Sequence, residues 1–191
     1  MQKLYEIDQA FSHTHFLELT DEFCDLYNHI CMYKRDFIYH SDLELQYPLW
    51  GCLYKPSDSG QQTRSKLGDN LQLLRLAQIL KIKAQKILKK RLRIYRINTN
   101  VQFFGMESTF HTDGGDKDWT FLVCANADWS VTWGGPFVVH TGDHPRDYKN
   151  VVFLPNKGIL FRADLDHYGS APNRICVHPR LTLAVSFSEV E

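Results

Sequence analysis

The chain has 191 residues, 43% of them hydrophobic, with 22 Lys and Arg against 22 Asp and Glu. This length predicts one domain that folds without disulfide bonds, and the balanced charge excludes a global attraction to nucleic acids or anionic lipids. No run of about 18 apolar residues indicates a membrane span, and the first eight residues lack the apolar segment of a signal peptide. The five cysteines form no CxxC pair and are interpreted as buried thiols in a reducing compartment. We therefore expect a cytoplasmic location.

The first 90 residues are predicted to be mostly helical support for the rest of the domain. Apolar residues recur every three or four positions in Phe16–Ile30 and in Asp69–Lys90, as on one face of an amphipathic helix. Ser12 or Thr14 is expected to cap the first helix. The polar, turn-rich segment Lys55–Gly68 is predicted to be a loop.

From residue 91 onward the apolar period changes to two, which predicts strands. The predicted strands are Leu92–Ile97, Ser108–Asp113, Trp119–Ala125, Phe137–His140, Val151–Leu154, Gly158–Phe161 and Leu181–Phe187. Many short strands in about 100 residues are typical of a barrel or jelly roll rather than a parallel sheet. The sequence therefore predicts a single α+β domain, with helices in residues 1–90 and a β-structured core in residues 91–191.

The segment around His111-Thr112-Asp113 has the spacing of a metal site. Side chains two positions apart on a strand point to the same face, so His111 and Asp113 are predicted to reach one ion while Thr112 is turned away. A third ligand must come from elsewhere, and His167, which follows the strand Gly158–Phe161, is the best candidate. Two imidazoles and one carboxylate form the facial triad of non-haem Fe(II) oxygenases.

Other interpretations of these histidines stay open. A His-x-Asp pair is also typical of surface residues before a Gly-Gly turn, as found here at positions 114 and 115. The pairs His13/His15 and His140/His144 are not expected to bind metal, because the first lies at a helix start without a carboxylate and the second flanks a turn.

An arginine at the start of the last predicted strand suggests an anion site. Arg180 shares one face of this strand with Thr182, and a buried guanidinium requires a counter-anion. A dicarboxylate that reaches from the metal would supply it, because guanidinium binds carboxylate through two parallel hydrogen bonds. Thr182 is positioned to donate a further hydrogen bond. Arg174 is the alternative partner for the carboxylate.

Four motifs together show a resemblance to a known family. The chain resembles the 2-oxoglutarate- and Fe(II)-dependent oxygenases, in particular their prolyl 4-hydroxylase-like branch, over about residues 92–187. The motifs are His111-Thr112-Asp113, Trp133-Gly134-Gly135, His167 followed by Gly-Ser-Ala-Pro, and Arg180-Leu-Thr-Leu-Ala.

The resemblance implies a double-stranded β-helix, with His111, Asp113 and His167 as iron ligands. It implies that Arg180 binds the far carboxylate of 2-oxoglutarate, and Tyr95 is a further candidate for the co-substrate pocket, with a plain core aromatic as the alternative. The activity implied is hydroxylation of a C–H bond with O₂, coupled to decarboxylation of 2-oxoglutarate to succinate, with ascorbate as reductant.

The resemblance leaves the substrate open. A prolyl or other residue of a protein or peptide is expected, and a free amino acid or other small molecule is the alternative, with a non-catalytic metal-binding β-barrel as a remote third. The chain departs from the family where Pro136-Phe137 follows the Trp-Gly-Gly turn and where Cys124 or a neighbour replaces a tyrosine.

Two further features receive a structural interpretation. The basic stretch Lys81–Arg96 is interpreted as a solvated helix face, although a patch for an acidic protein or a nucleic acid is the alternative. The aromatic side chains Trp119, Trp129 and Trp133 are candidates to wall the site or to lie in the core.

Overall fold

The fold comes from a computed structural model, which describes residues 3–28, 33–35, 49–55, 65–66, 70–142, 144 and 146–191. The described residues form two α-helices, eleven strands and one 3₁₀ turn. In chain order these are β1 (Leu4–Ile7), α1 (His13–Asn28), β2 (Tyr33–Arg35), β3 (Leu49–Lys55), β4 (Ser65–Lys66), α2 (Leu71–Leu88), β5 (Leu92–Gln102), β6 (Asp118–Cys124), the 3₁₀ turn Val131–Trp133, β7 (Phe137–His140), β8 (Tyr148–Val151), β9 (Gly158–Arg162), β10 (His167–Gly169) and β11 (Arg180–Glu189).

Two sheets organise these strands. The larger has the order β1-β9-β6-β11-β5-β3-β2, with β4 beside β3, and the smaller has the order β10-β7-β8. Neighbouring strands are antiparallel except for the parallel pair β3–β4. The predicted mixture of helices and sheets is confirmed, while the strands that the structure describes do not join the two sheets into one closed barrel.

The helices begin and end with local signals that the sequence carries. The hydroxyl of Ser12 accepts a hydrogen bond from the backbone of His15 at the start of α1, as the capping prediction allowed. Asn70 caps α2 by accepting a hydrogen bond from Leu73 N–H at 2.9 Å, and Lys89 ends that helix in a left-handed conformation.

The apolar face of α2 packs against the large sheet and builds the main core. Its buried residues are Leu73, Leu76, Ala77, Leu80, Ala84 and Leu88. They join one cluster with Ile97 and Val101 of β5 and with Leu183, Val185 and Phe187 of β11. The side chains on the other face of these two strands are left to line a cavity.

Several strand predictions differ from the structure. The half predicted as mostly helical also contributes β1 to β4. The predicted strand Ser108–Asp113 makes only one β-bridge, from His111 to His167, and the short strand β10 was not predicted. Most of the predicted loop Lys55–Gly68 and the end of the first predicted helix, at Ile30, lie outside the described residues.

Two expectations from composition concern the cysteines and the membrane. Cys124 and Cys176 are buried and Cys24 is exposed, whereas the side chains of Cys31 and Cys52 lie outside the described residues. Within the part of the chain that the structure describes, the helices are too short or too polar to cross a bilayer.

A β-bulge in β5 reverses which side chains face the cavity. Ser186 pairs with Arg96 and Phe187 pairs with Ile94, so Tyr95 is the extra residue in the ladder. Leu92 and Ile94 before the bulge belong to the core, and after it the core residues are at positions 97 and 101. Because a bulge shifts the alternation by one residue, Arg96 is turned toward the opposite face.

Candidate metal centre

Three predicted ligands converge at one point of the fold. His111, Asp113 and His167 offer ligand atoms that all lie within 4.8 Å of one another. His167 Nε2 lies 3.7 Å from Asp113 Oδ2, and the centroids of the two imidazole rings are 4.5 Å apart. Among the described residues, this is the single group of His, Cys, Asp or Glu with such geometry.

Backbone hydrogen bonds hold the two ligand segments together. His111 and His167 exchange backbone N–H···O bonds of 3.0 Å in both directions. The backbone N–H groups of Asp113 and Gly114 both donate to Ala163 O, at 2.8 and 3.1 Å. The ligand-bearing loop 111–114 is therefore attached to the connection between β9 and β10, which explains why ligands 54 and more positions apart along the chain meet.

Both histidines are oriented with Nε2 available to a ligand. His111 Nδ1 lies 2.8 Å from Thr109 O, and His167 Nδ1 lies 2.8 Å from Leu165 O. A carbonyl oxygen only accepts, so Nδ1 carries the proton of the neutral ring, and this tautomer presents the Nε2 lone pair to a metal. Burial also lowers the pKa of His167, which favours the neutral imidazole that a metal requires.

Asp113 is fixed at both carboxylate oxygens. Arg96 Nη2 donates to Oδ1 at 2.9 Å, and Thr120 Oγ1 donates to Oδ2 at 2.8 Å. Burial alone would raise the pKa of Asp113, but the charge of Arg96 and the nearby imidazoles lower it to about 2. The carboxylate is therefore ionised at neutral pH. Neither Arg96 nor Thr120 was predicted from the sequence.

The three candidate ligands line a cavity of about 290 Å³ between the sheets. Half of its remaining lining comes from alternate residues of β5 and β11. The lining residues of these strands are Arg96, Asn98, Asn100, Gln102, Arg180, Thr182 and Ala184. Thr112 also lines the cavity, in contrast to the expectation that it is turned away, because residues 112 and 113 do not continue a strand.

Arg180, which the sequence predicted to bind an anion, also lines the cavity. Its side chain is buried, with 2% of the residue exposed. Arg180 Nε donates to Gly135 O at 2.8 Å, and Nη1 donates to Gln102 Oε1 at 2.7 Å. Nη2 is buried without a hydrogen-bond partner among the described residues. A cationic donor left in this state is suited to an anionic ligand.

Two glycines from the predicted motifs leave room for this guanidinium. Gly135 of the Trp-Gly-Gly turn has a φ of +71°, and a Cβ there would lie 3.1 Å from Arg180 Cδ. A Cβ on Gly169 would lie 3.1 Å from Arg180 Nη1. The Trp-Gly-Gly turn and strand β10 thus position the same guanidinium. Gly135 O accepts a hydrogen bond from it, and neither Gly135 nor Gly169 carries a side chain that would collide with it.

The other predicted site residues take different positions. Thr182 lines the cavity and accepts a hydrogen bond of 3.2 Å from Asn100. Tyr95 is absent from the cavity lining, although its hydroxyl lies beside Gly114 of the ligand-bearing loop. Arg174 is exposed, and it is absent from the lining.

The three tryptophans proposed as walls do not line the cavity. Trp119 lies in the main core, while Trp129 packs with Phe153 and Trp133 in a separate cluster. That cluster still contacts a residue of the cavity lining, because Arg180 Cζ lies 4.6 Å from the centroid of the Phe153 ring.

Comparison with solved structures identifies the fold. A Pseudomonas putida prolyl-4-hydroxylase superimposes with a TM-score of 0.71 at 11% identity, covering 100% of this chain and 95% of that chain. The Trichoplax adhaerens prolyl hydroxylase in complex with a hypoxia inducible factor peptide fragment gives a TM-score of 0.70 at 9% identity, covering 98% and 84%. The epimerase SnoN from nogalamycin biosynthesis, in complex with Fe³⁺, alpha ketoglutarate and nogalamycin RO, gives 0.70 at 15%, covering 97% and 78%.

These similarities confirm the predicted resemblance at the level of fold. The chain has the fold of prolyl hydroxylases and other 2-oxoglutarate- and Fe(II)-dependent oxygenases. No family model and no curated protein matches the sequence.

Proposed function

We propose that the protein is an Fe(II)- and 2-oxoglutarate-dependent dioxygenase that hydroxylates a C–H bond. One observation carries the proposal: the group His111, Asp113 and His167 shares a cavity with Arg180, whose Nη2 is buried and unpaired among the described residues. A facial triad and an unsatisfied buried cation serve no common structural purpose, whereas a metal-bound dicarboxylate satisfies both. We also infer that the two sheets are the two halves of a double-stranded β-helix.

The residues present fit the metal and the co-substrate. Nε2 of His111, Nε2 of His167 and one oxygen of Asp113 would hold Fe(II), since both imidazoles are fixed through Nδ1 and the carboxylate is ionised. Fe(II) and 2-oxoglutarate, when bound, supply the activation of O₂ with decarboxylation to succinate, and ascorbate keeps the metal reduced. Arg180 binds the far carboxylate, and Thr182 adds a hydrogen bond to it.

The protein side of this chemistry is orientation and exclusion of water. The guanidinium of Arg180 is held by Gly135 O and Gln102 Oε1. It therefore fixes the orientation of a bound carboxylate relative to the triad. Apolar side chains of Leu122, Phe137 and Phe161 complete the lining and keep water from the reacting atoms.

The size of the cavity favours a residue of a protein or peptide, prolyl by resemblance, as the substrate. Its volume of about 290 Å³ is at the lower limit of small-molecule sites, which span roughly 300–1,000 Å³. Because 2-oxoglutarate takes part of this space, only the reacting group of the substrate enters. The fold is also found in an enzyme solved with nogalamycin RO, so a small molecule is the second candidate.

Turnover without a substrate tests the reaction. The protein with Fe(II), ascorbate and 2-oxoglutarate is expected to release succinate slowly, and a prolyl peptide is expected to accelerate the release more than free proline. His111→Ala should abolish both, because only two protein ligands remain. His140→Ala is the matched control, since its Nε2 bonds to His144 O outside the cavity. Succinate release that survives in His111→Ala contradicts the assignment.

A further inference from the structure

A second arginine in the cavity shares its counter-ion with the proposed metal. Arg96 Nη2 and Asp113 Oδ1 form an ion pair of 2.9 Å, with 18% and 16% of the side chains exposed. Arg96 Nε donates to Ser186 Oγ at 3.1 Å, and these two contacts use two of the five N–H groups of the guanidinium. The guanidinium thus lies against a metal ligand and still has a donor that a ligand of the cavity can use.

The bulge at Tyr95 creates this arrangement. Without the extra residue, Arg96 would share the core face of Ile94, where a charge is costly. With it, Arg96 lies opposite Ser186 and lines the cavity. Bulges beside functional sites often re-aim one side chain in this way.

The charges of the lining decide which ligands the cavity accepts. With neutral imidazoles, the charged lining residues are Arg96, Arg180 and Asp113, which gives the lining a net charge of +1. A divalent metal raises this to +3, and a dianion returns it to +1. Arg96 bonds to Oδ1 of Asp113 whereas Oδ2 faces His167, so the guanidinium stays beside a metal bound at Oδ2 and its charge weakens the binding of a cation alone.

We infer that Arg96 is a positioning residue that couples the binding of the metal to that of the anionic co-substrate. In the metal-free protein its charge is offset by Asp113. A metal bound to Asp113 offsets the negative charge of that carboxylate. The positive charge of Arg96 is then uncompensated until an anion binds beside the metal. The metal therefore binds weakly alone and tightly with 2-oxoglutarate. This inference rests on the proposed function of the site.

Calorimetric titration with Mn(II), which is stable to oxidation and takes nitrogen and oxygen ligands, measures the coupling without turnover. The affinity for Mn(II) is determined with and without 2-oxoglutarate in the wild type, Arg96→Gln, Arg96→Lys and Arg93→Gln. Arg93 is an exposed residue of the same strand, so its variant removes an equal charge outside the cavity. Thermal unfolding of each metal-free variant verifies that it is folded.

Arg96→Gln is expected to bind Mn(II) alone roughly tenfold more tightly, since a nearby positive charge is removed. The gain in Mn(II) affinity from 2-oxoglutarate should fall by about fivefold or more, within the usual range of coupling between sites. Arg96→Lys should retain most of the coupling, and Arg93→Gln should retain all of it.

Two results would overturn the inference. One is an unchanged coupling in Arg96→Gln, and the other is an equal weakening of Mn(II) binding with and without 2-oxoglutarate, which would make Arg96 a plain support for Asp113. A wild-type protein that binds no Mn(II) in either condition refutes the proposed function itself, and the inference with it.

Discussion

Replacing Arg180 by Met tests whether the buried guanidinium is present for a ligand rather than for stability. Burial lowers the pKa of Arg180 to about 10, and this difference from the ordinary value means that keeping the charge in the fold costs about 3 kcal/mol. Its two hydrogen bonds, to Gly135 O and Gln102 Oε1, return about 1–2 kcal/mol each because the acceptors would otherwise be buried and unpaired.

These opposing contributions nearly cancel, so Arg180→Met is expected to change the free energy of unfolding of the metal-free protein by less than about 2 kcal/mol. Breaking an ordinary buried ion pair costs about 3–5 kcal/mol. Urea denaturation measures the difference, with Arg174→Met as the control because Arg174 is exposed.

The binding of 2-oxoglutarate, unlike the stability of the metal-free protein, should depend strongly on Arg180. With metal present, 2-oxoglutarate should raise the melting temperature of the wild type and of Arg174→Met but not of Arg180→Met, because the variant lacks the partner of the far carboxylate. A loss of more than about 3 kcal/mol in Arg180→Met would show that the guanidinium is structural. Unimpaired stabilisation by 2-oxoglutarate would show that Arg174 or another group binds the carboxylate.

Two further substitutions test the surroundings of the site. Gly135→Ala should destabilise the fold by about 1–2 kcal/mol, since the φ of Gly135 is +71°. It should also raise the KM for 2-oxoglutarate, because the new Cβ would lie 3.1 Å from Arg180 Cδ. An unchanged KM would mean that the turn does not position Arg180. Asp113 has a pKa lowered to about 2 in the fold, so it stabilises the metal-free protein above the pKa of the unfolded chain. Most of this contribution, about 2 kcal/mol, is lost as the pH falls from roughly 5 to 2. Urea denaturation of the wild type should show this loss and Asp113→Asn should not, whereas equal pH dependence would contradict the Arg96–Asp113 ion pair.

Patterns that are local in sequence predicted the central parts of the site. The spacing of His111 and Asp113, and the alternation that begins at Arg180, depend only on the geometry of a few neighbouring residues. The structure places these side chains together with His167 around one cavity. It also places Thr182 on the face of its strand that was expected.

The missed features depend on contacts between distant segments. Arg96 faces the cavity because of a bulge that exists only when β5 pairs with β11, and the simple alternation of residues 92–97 gives no sign of that bulge. Gln102 and Thr120 are ordinary polar residues until they are brought to Arg180 and Asp113. Strand β10 has three residues, too few for a periodic signal.

The pairing of β5 with β11 explains how one strand pair supports both ends of the cavity. Arg180 pairs with Gln102 at one end of the ladder and Ser186 pairs with Arg96 toward the other, so each strand contributes to the surroundings of Arg180 and to those of the candidate metal ligands. A slip of one residue would exchange the cavity and core faces and would bury Arg96 while exposing Ile97. The bulge at Tyr95 lets Leu92 and Ile94 pack with Ile97 in the core although their separation is odd, and the same shift turns Arg96 toward Asp113. The bulge at Tyr95 therefore preserves the core packing of β5 and also places the Arg96 guanidinium beside Asp113, a candidate metal ligand.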